Sequence, residues 1–397
     1  MKLKIIAIGL FALTAAAVAY YPSVHGKPIQ VVKPPVHVNV PVSAPKIEVV
    51  FVLDTTGSMS ELIQAAKDKI WSIASTMVAA EPAPEIKVGL VAYRDRGDAY
   101  VTKVVDLSGD LDSMYATLID FQAEGGGDGP ESVNQALYDA IHKISWSQDP
   151  DSYQVVFLVG DAPPHMDYQD DVKYPVVLAE AARRGIIVNT IRCGNDAQTE
   201  SMWRAIASAT QGSYFSVDQS GSAIAMTTPF DTKLAELAAD LDDTRLYYGD
   251  DEIRAEKQQK IAATHKLNAK ASDATKARRA TFNISTSGAE NLFGEGDLVS
   301  AVVAGTVKLD EIETEQLPEP LQAMSPEERN EVVRVNAQRR DELKRQIGAL
   351  AGERAVYLAA EVEALGDKEE SLDYRIFETV REQAGKKGLE YSEAPVH

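Results

Sequence analysis

The sequence predicts an α/β fold: a doubly wound, mostly parallel sheet with helices on both faces, followed by an α-rich C-terminal region. Three observations predict it. Between residues 46 and 222, short β-branched runs alternate with segments whose apolar residues recur every three or four positions, the pattern of βαβ units. The first run, Ile47-Glu-Val-Val-Phe-Val-Leu53, is almost continuously apolar, as a strand covered on both faces must be. Beyond about residue 222 the strand signals mostly stop and helical, highly charged sequence takes over.

At the N-terminus, Met1-Lys-Leu-Lys4 is a basic start, and Ile5 to Tyr21 is uncharged and rich in Ala, Leu, Ile and Val, with Ala17-Val18-Ala19 as a cleavage-like signal. Residues 1–21 are therefore expected to be a signal peptide, or an anchor held in a membrane through residues 5–21. The positive charge ahead of the apolar segment places the rest of the chain outside the cytoplasm in either case: periplasmic, cell-surface or secreted. Residues 22–45 carry Pro22, Pro28, Pro34, Pro35, Pro41 and Pro45, an extended, semi-rigid linker.

From residue 46 a strand is followed by a helix marked by Leu62, Ile63, Ala66, Ile70, Ile73 and Met77. A strand at 87–93 and a hairpin partner at 100–105 come next, then helices at 110–122 and 130–144. The apolar strand at 153–159, a helix at 171–184, a strand at 186–192, a helix at 199–209 and a short strand at 213–217 complete the first domain, 46–222. In the accessory region, 223–397, residues 230–280 read as helical and 283–317 as irregular or as a short strand pair. Ser325-Pro-Glu-Glu328 opens another helix with an N-cap serine, a proline at the first helical position and a glutamate to close a capping box. A last helix is expected at about 372–386, ending at Gly388.

Composition narrows the function. Sixty acidic against 40 basic residues leave a formal charge of −20, the opposite of the balance that phosphate contacts require, so nucleic acid is not an expected partner. The one cysteine, Cys193, excludes an intrachain disulfide and ends an apolar run, where a small buried thiol is the expected reading. No G-x-x-x-x-G-K-[ST] loop is present to bind a nucleotide.

In a sheet of this kind ligands sit at the C-terminal ends of the strands, and the chemistry-bearing loops fall there. Asp54-Thr55-Thr56-Gly57-Ser58 directly follows the first strand and supplies a carboxylate and two hydroxyls at alternate positions. Asp161 directly follows the strand at 153–159, and parallel strands deliver their loops to one edge, so Asp54 and Asp161 can converge. Hard oxygen donors of modest total charge suit Mg²⁺, Mn²⁺ or Ca²⁺ and not zinc. The alternative is that Asp54 caps a helix and the hydroxyls fix a turn.

This D-x-[ST]-x-S motif with a strand-end aspartate downstream resembles the metal-ion-dependent adhesion site of von Willebrand factor A (VWA) domains, over about 175 residues including the order of strands and helices. The middle loop departs from the common pattern, which places a threonine after paired glycines. Here Gly125-Gly-Gly-Asp128-Gly129-Pro130-Glu131 is similar to the loop of the integrin β-subunit I-like domain, where the glutamate is a metal ligand. The resemblance implies the ligand set Asp54, Thr56, Ser58, Glu131 and Asp161, with Asp128 serving an adjacent site. The alternative for Glu131 is that it complements the start of its own helix, with Pro130 at the first helical position.

The implied function is that of a divalent-cation-dependent protein-binding module, for adhesion or scaffolding and not an enzyme, whose cation grips an Asp or Glu of a protein partner. Two other classes compete. A metal-dependent hydrolase would use a cation-bound water with His165 or Glu131 as base, but no nucleophile is paired with a base and a carboxylate-rich site makes a poor Lewis acid. A VWA partner of an AAA+ ATPase would sit badly with the export segment. Three features invite a role they do not need: Arg96-Gly97-Asp98 is explained by turn chemistry, His165 by packing of its loop or support of the metal site from behind, and Asn283-Ile-Ser by the frequency of the glycosylation triplet.

Overall fold

The computed structural model describes residues 44–77, 79–127, 129–217, 226–365 and 372–391. The expected signal or anchor and nearly all of the proline-rich linker lie outside the described residues, as does Asp128. Among the described residues no helix is long and apolar enough to cross a membrane.

Six strands form one sheet: β1 (Lys46–Asp54), β2 (Glu85–Tyr93), β3 (Thr102–Ser108), β4 (Tyr153–Gly160), β5 (Ile187–Cys193) and β6 (Tyr214–Val217), in the spatial order β3-β2-β1-β4-β5-β6. All neighbours are parallel except β2 and β3, the expected hairpin. β1 is central, and its period-two alternation feeds two cores. Ile47, Val49, Phe51 and Leu53 enter one, with helices α1 (Ile63–Met77) and α2 (Leu111–Asp120). Val50 and Val52 enter the other, with α3 (Val133–His142), α4 (Tyr174–Arg184) and α5 (Ala197–Ala209). Covering on both faces is why β1 and β4 read as unbroken apolar runs. Glu48, the one charge in β1 between Lys46 and Asp54, is buried but accepts hydrogen bonds from the Ser147 amide and Gln154 Nε2.

The strand order makes a switch point between β1 and β4. The chain leaves β1 for one face of the sheet and β4 for the other, so their C-terminal ends diverge and open a crevice. Register Leu53↔Val159 places Asp54 and Asp161 side by side at that crevice.

Beyond the sheet the chain is helical: α6 (Asp231–Asp242), α7 (Asp251–Lys270), α8 (Asp273–Asn283), α9 (Thr286–Phe293), α10 (Leu298–Val303), α11 (Glu319–Gln322), α12 (Pro326–Leu365) and α13 (Leu372–Gly385). The irregular or paired-strand segment expected at 283–317 is instead two short helices, α9 and α10, followed by 3-10 turns. Ser285 and Asp297 cap them by accepting from the amides of Gly288 and Ser300, a local bond that lets six to eight residues hold helical geometry. All that remains of a strand pair is a single bridge between Tyr247 and Asp297. The capping box before α12 forms as expected: Ser325 N donates to Glu328 Oε2 (2.8 Å), and Glu328 N donates to Ser325 Oγ (3.3 Å).

Helices α6, α8, α9 and α12 bury their own cluster around Leu234, Leu241, Phe293 and Ile347. α13 does not join them. Its Ile376, Phe377, Val380 and Ala384 pack into the same core as Phe51 and Phe157 of the sheet. Gln383 on α13 is buried there, its Oε1 accepting from Tyr153 Oη (2.7 Å) and Asn189 Nδ2 (3.1 Å) while its Nε2 donates to Asn189 Oδ1 (3.0 Å). After α13, Glu390 exchanges both backbone hydrogen bonds with Glu81 (2.7 and 2.9 Å). Helices α6 to α12 are thus spliced between the last strand and the last helix of the sheet's own core.

Candidate metal centre at the switch point

The site is built outward from the end of β1. Asp54 is fully buried, and its Oδ1 accepts from both the amide (2.9 Å) and the hydroxyl (2.6 Å) of Thr56, which closes a tight turn. The Thr56 hydroxyl lies 3.1 Å from Ser58 Oγ, and Ser58 Oγ donates to Asp161 Oδ1 at 2.9 Å. Four of the five expected ligands are therefore joined in one chain across the two central strands. Thr55, the residue between, turns the other way: its hydroxyl donates to Tyr93 O (2.8 Å) and meets Tyr100 Oη (2.7 Å), tying the loop to β2.

Glycines let the backbone come this close. A Cβ at Gly57 would stand 2.8 Å from the carbonyl oxygen of Gly125, which accepts the Gly57 amide. A Cβ at Gly160, the last residue of β4, would stand 2.4 Å from Tyr93 Oη and 2.8 Å from Asp54 Cβ.

Glu131 completes the group. Gly126 lies between it and Thr56: a Cβ there would be 3.3 Å from Glu131 Oε1 and 3.4 Å from Thr56 Cβ. The segment around Glu131 runs parallel to the loop after Asp161, with Glu131 N donating to Pro163 O (2.9 Å) and His165 N donating to Glu131 O (3.1 Å). The alternative of Pro130 at the first position of a helix is not what forms. α3 starts at Val133 with Ser132 as N-cap, because Ser132 and Glu131 are drawn into bonds with Arg94, Asp95 and the 163–165 loop.

The electrostatics are set by burial. Burial, then the neighbouring Asp161 carboxylate, pushes the Asp54 carboxyl up to about 7, against the pull of the Thr56 hydroxyl and amide. Burial, then Asp54, Asp95, Asp98 and Asp161, pushes Glu131 up to about 9. Burial raises Asp161 as well. One oxygen of each inner carboxylate, Asp54 Oδ2 and Glu131 Oε2, is buried with no hydrogen-bond partner. Above them opens a depression of about 540 Å³ lined by Gly57, Ser58, Glu131, Asp161, Pro163 and Thr199. Among the described residues no three His, Cys, Asp or Glu side chains are by themselves disposed to hold a metal ion.

His165 stands apart from the chain of ligands. Its ring is buried, stacked on Tyr168 (centroids 4.0 Å apart), with Nδ1 2.8 Å from Asp167 Oδ1 and Nε2 3.4 Å from Asp95 Oδ2. It packs its loop and, through its amide, carries Glu131. Arg96 is held by Asp170 and Asp171 and lies over the Tyr168 ring, while Asp98 accepts from the amides of Asp95 and Gly126. The Arg-Gly-Asp triplet is thus exposed at Arg96 and Gly97, with both of its charged side chains tied down by bonds within the chain. Cys193 is buried, and burial, then Asp161 and Asp54, raises its thiol far above the usual range, which leaves it inert as a nucleophile.

Sequence reasoning passed over Arg94 and Asp95, and read Asp98 only as part of a turn. Arg94 is buried and donates to the carbonyls of Thr55 (3.1 Å) and Gln122 (2.9 Å), pinning two site loops together. Asp95 accepts from Ser132 Oγ and Tyr168 Oη, both at 2.8 Å. The signal was available: the three residues lie just beyond β2 and so emerge at the same edge as Asp54.

Residues 48–228 match the family model of the von Willebrand factor A domain. The alpha-protein kinase vwkA of Dictyostelium discoideum is 28% identical over 120 residues, which cover 30% of this chain and 19% of that protein, so the chain spans about a fifth of the length of this curated relative. Among solved structures, the conserved hypothetical protein BatB from Bacteroides thetaiotaomicron is 18% identical with a TM-score of 0.34, covering 45% of this chain and 95% of that one. The VWA domain of SpRpn10 is 14% identical (TM-score 0.35; 45% of this chain, 90% of that one). Proximal thread matrix protein 1 of the mussel byssus, in a form with a zinc-occupied MIDAS motif, is 16% identical (TM-score 0.35; 45% of this chain, 43% of that one). The family match and the mostly parallel six-stranded sheet support a VWA domain in this segment, followed by helices over residues 231–385.

Proposed function

We propose that the switch-point crevice binds a divalent cation through Asp54, Thr56, Ser58, Glu131 and Asp161, and that the cation in turn takes an Asp or Glu side chain of a protein partner. The observation that carries the proposal is the pair of buried carboxylate oxygens, Asp54 Oδ2 and Glu131 Oε2, left without a partner beside two hydroxyls and a third carboxylate. Burying a carboxylate oxygen unpaired costs free energy that either a proton or a cation can offset. The donors are all hard oxygens, which fits Mg²⁺, Ca²⁺ or Mn²⁺.

The chain's own residues divide the work. Asp54 and Asp161 supply charge from adjacent strands, Thr56 and Ser58 hold both in register, and Glu131 brings the charge of the third loop. Arg94 and Asp95 position those loops without reaching the crevice. The depression above leaves room for a partner side chain, and the acidic character of the chain favours a carboxylate that arrives with a cation between the two charges. Export through residues 1–21, and hence contact with an extracytoplasmic partner, belongs to the same proposal.

Calorimetric titration of Ca²⁺, Mg²⁺ and Mn²⁺ into the full chain tests it, beside Asp54→Ala and Glu131→Gln. Saturable binding in the parent, lost with Asp54→Ala and weakened with Glu131→Gln, is expected. A folded parent that binds none of the three would refute both the cation and the partner contact built on it.

A further inference from the structure

Helix α4 is apolar on two sides, and the fold covers only one of them. Val177, Leu178 and Ala181 face the sheet and are buried. On the opposite side Pro175, Val176, Ala179 and Ala182 follow helical spacing and are all exposed, Val176 to 64%. Val172, just ahead of the helix, is exposed to 44%. A helix on the outside of a sheet ordinarily turns polar residues outward, as the neighbouring α5 does with Gln198, Ser201, Arg204 and Ser208. An outward face of valine, proline and alanine has the composition of one that is covered.

The charges beside this face have an order of their own. Asp170, Lys173, Glu180 and Arg183 read minus, plus, minus, plus. They stand in pairs about Val176: Lys173 and Glu180 about one helical turn away on either side, Asp170 and Arg183 about two. Read in the opposite direction, the order is plus, minus, plus, minus. A second α4 laid antiparallel across the first therefore meets it with opposite charges at all four places, whereas a parallel one sets like against like. The side chains have capacity for this. Asp170 accepts from Arg96 on Oδ1 and Glu180 meets His142 with Oε2, which leaves each a second oxygen. Arg183 is exposed and, among the described residues, makes no ion pair. Alanine at 179 and 182 lets two helix axes come close.

We propose that two copies of this chain associate through α4, antiparallel across a two-fold axis near Val176. The interface is isologous: Val176 meets its own copy, Lys173 meets the partner subunit's Glu180, and Asp170 meets the partner subunit's Arg183. A single helical face buries less than the ~800 Å² per partner of a standard interface, so the association is reversible, with a Kd of about 1–100 µM. It does not rest on the cation crevice.

Sedimentation velocity of the full chain in cation-free buffer, across about 1–200 µM, tests it. A monomer–dimer equilibrium is expected. Val176→Asp sets two carboxylates face to face on the axis and should raise the dissociation constant at least about tenfold. Asp170→Arg and Arg183→Asp should each weaken the dimer, because each places like charges together twice. Mixed one to one, these two variants should recover the parent's affinity, since every pair in the mixed dimer is again opposite. A parent that stays monomeric across the range would overturn the proposal, and that measurement needs no variant. So would a dimer indifferent to Val176→Asp, or charge variants that associate no better together than apart.

Discussion

Replacing Arg279 with methionine should uncouple the spliced-in helices from the sheet. Arg279 is fully buried and makes four hydrogen bonds: Nε and Nη2 to Asp112 (2.7 and 2.5 Å), and Nη1 and Nη2 to Asp242 (2.9 and 2.8 Å). Asp112 lies on α2, against the sheet, and Asp242 on α6. Burial alone would raise the Asp112 carboxyl; Arg279 outweighs it and holds it down to about 2. Remaining donors are few: Thr264 to Asp112 (2.8 Å) and Asn268 to Asp242 (3.0 Å). Methionine fills much of the volume but takes the bidentate partner from two buried carboxylates, leaving Asp112 only the weaker influence of Arg245. Breaking a buried pair in this way costs about 3–5 kcal/mol, and with two anions stranded the upper end is expected. Urea unfolding of the full chain at pH 7 reads the loss directly. The variant should regain part of it between pH 7 and pH 5, as a stranded carboxylate with a raised pKa takes up a proton. Replacing Asp112 and Asp242 with leucine in the same chain should restore most of the stability, since the cost lies in the orphaned charges and not in the lost arginine. A loss below about 1 kcal/mol, in a variant with native circular dichroism, would refute the view that this triad joins the two regions.

Other outcomes rest on the same geometry. Gly160→Ala should lower stability by about 1–3 kcal/mol and remove cation binding, because its Cβ would meet Tyr93 Oη at 2.4 Å and Asp54 Cβ at 2.8 Å; calorimetry and thermal melting check both. The cation-free protein should lose stability as pH rises through 7 and towards 9. Asp54 and Glu131 have folded pKa values raised to about 7 and about 9, so the folded state binds more protons than the unfolded one, and that advantage, complete below their ordinary carboxyl range, disappears on deprotonation. For the same reason the midpoint increase given by saturating Ca²⁺ should grow with pH over that window; melts with and without chelator show it, and an increment independent of pH would count against these ligands. Gln383→Leu should cost about 1–3 kcal/mol by stranding Tyr153 Oη and Asn189 in the sheet's core, measurable by denaturant unfolding.

What could be read from the sequence was what periodicity and strand ends carry. β1 and β4 announce themselves because both faces are covered, and once they are placed the parallel sheet brings Asp54, Thr56, Ser58 and Asp161 to one edge. Glu131 was reachable through its loop. Arg94 and Asp95 were not singled out and Asp98 was read as turn chemistry, because the segment looks like an ordinary charged turn; its place just beyond β2 was the signal left unused. Residues 283–317 misled for a related reason: α9 and α10 are held by a side-chain cap at one residue each, and helices of six to eight residues are too short for a period to show. The helix α13 was legible from its extent, about 372–386, but a helical segment does not say what it packs against. That it joins the core of the sheet, against α1 and β6, rather than its neighbours in sequence is a long-range fact.

The return of α13 to the sheet also has a consequence for how the chain is made. During synthesis the strands emerge first, but the core that α1 and α2 cover on one side of the sheet stays incomplete until residues 372–391 have left the ribosome. In the interval Tyr153 and Asn189 must wait, within the nascent sheet, for the Gln383 side chain that joins them in the finished core. Among the described residues the sheet's core is therefore completed by its most C-terminal segment, and the seam between Glu81 and Glu390 joins that segment to the chain just ahead of β2. A ribosome stalled within α12 would hold a sheet that has its crevice but not its lid of apolar side chains, a species inviting capture by chaperones.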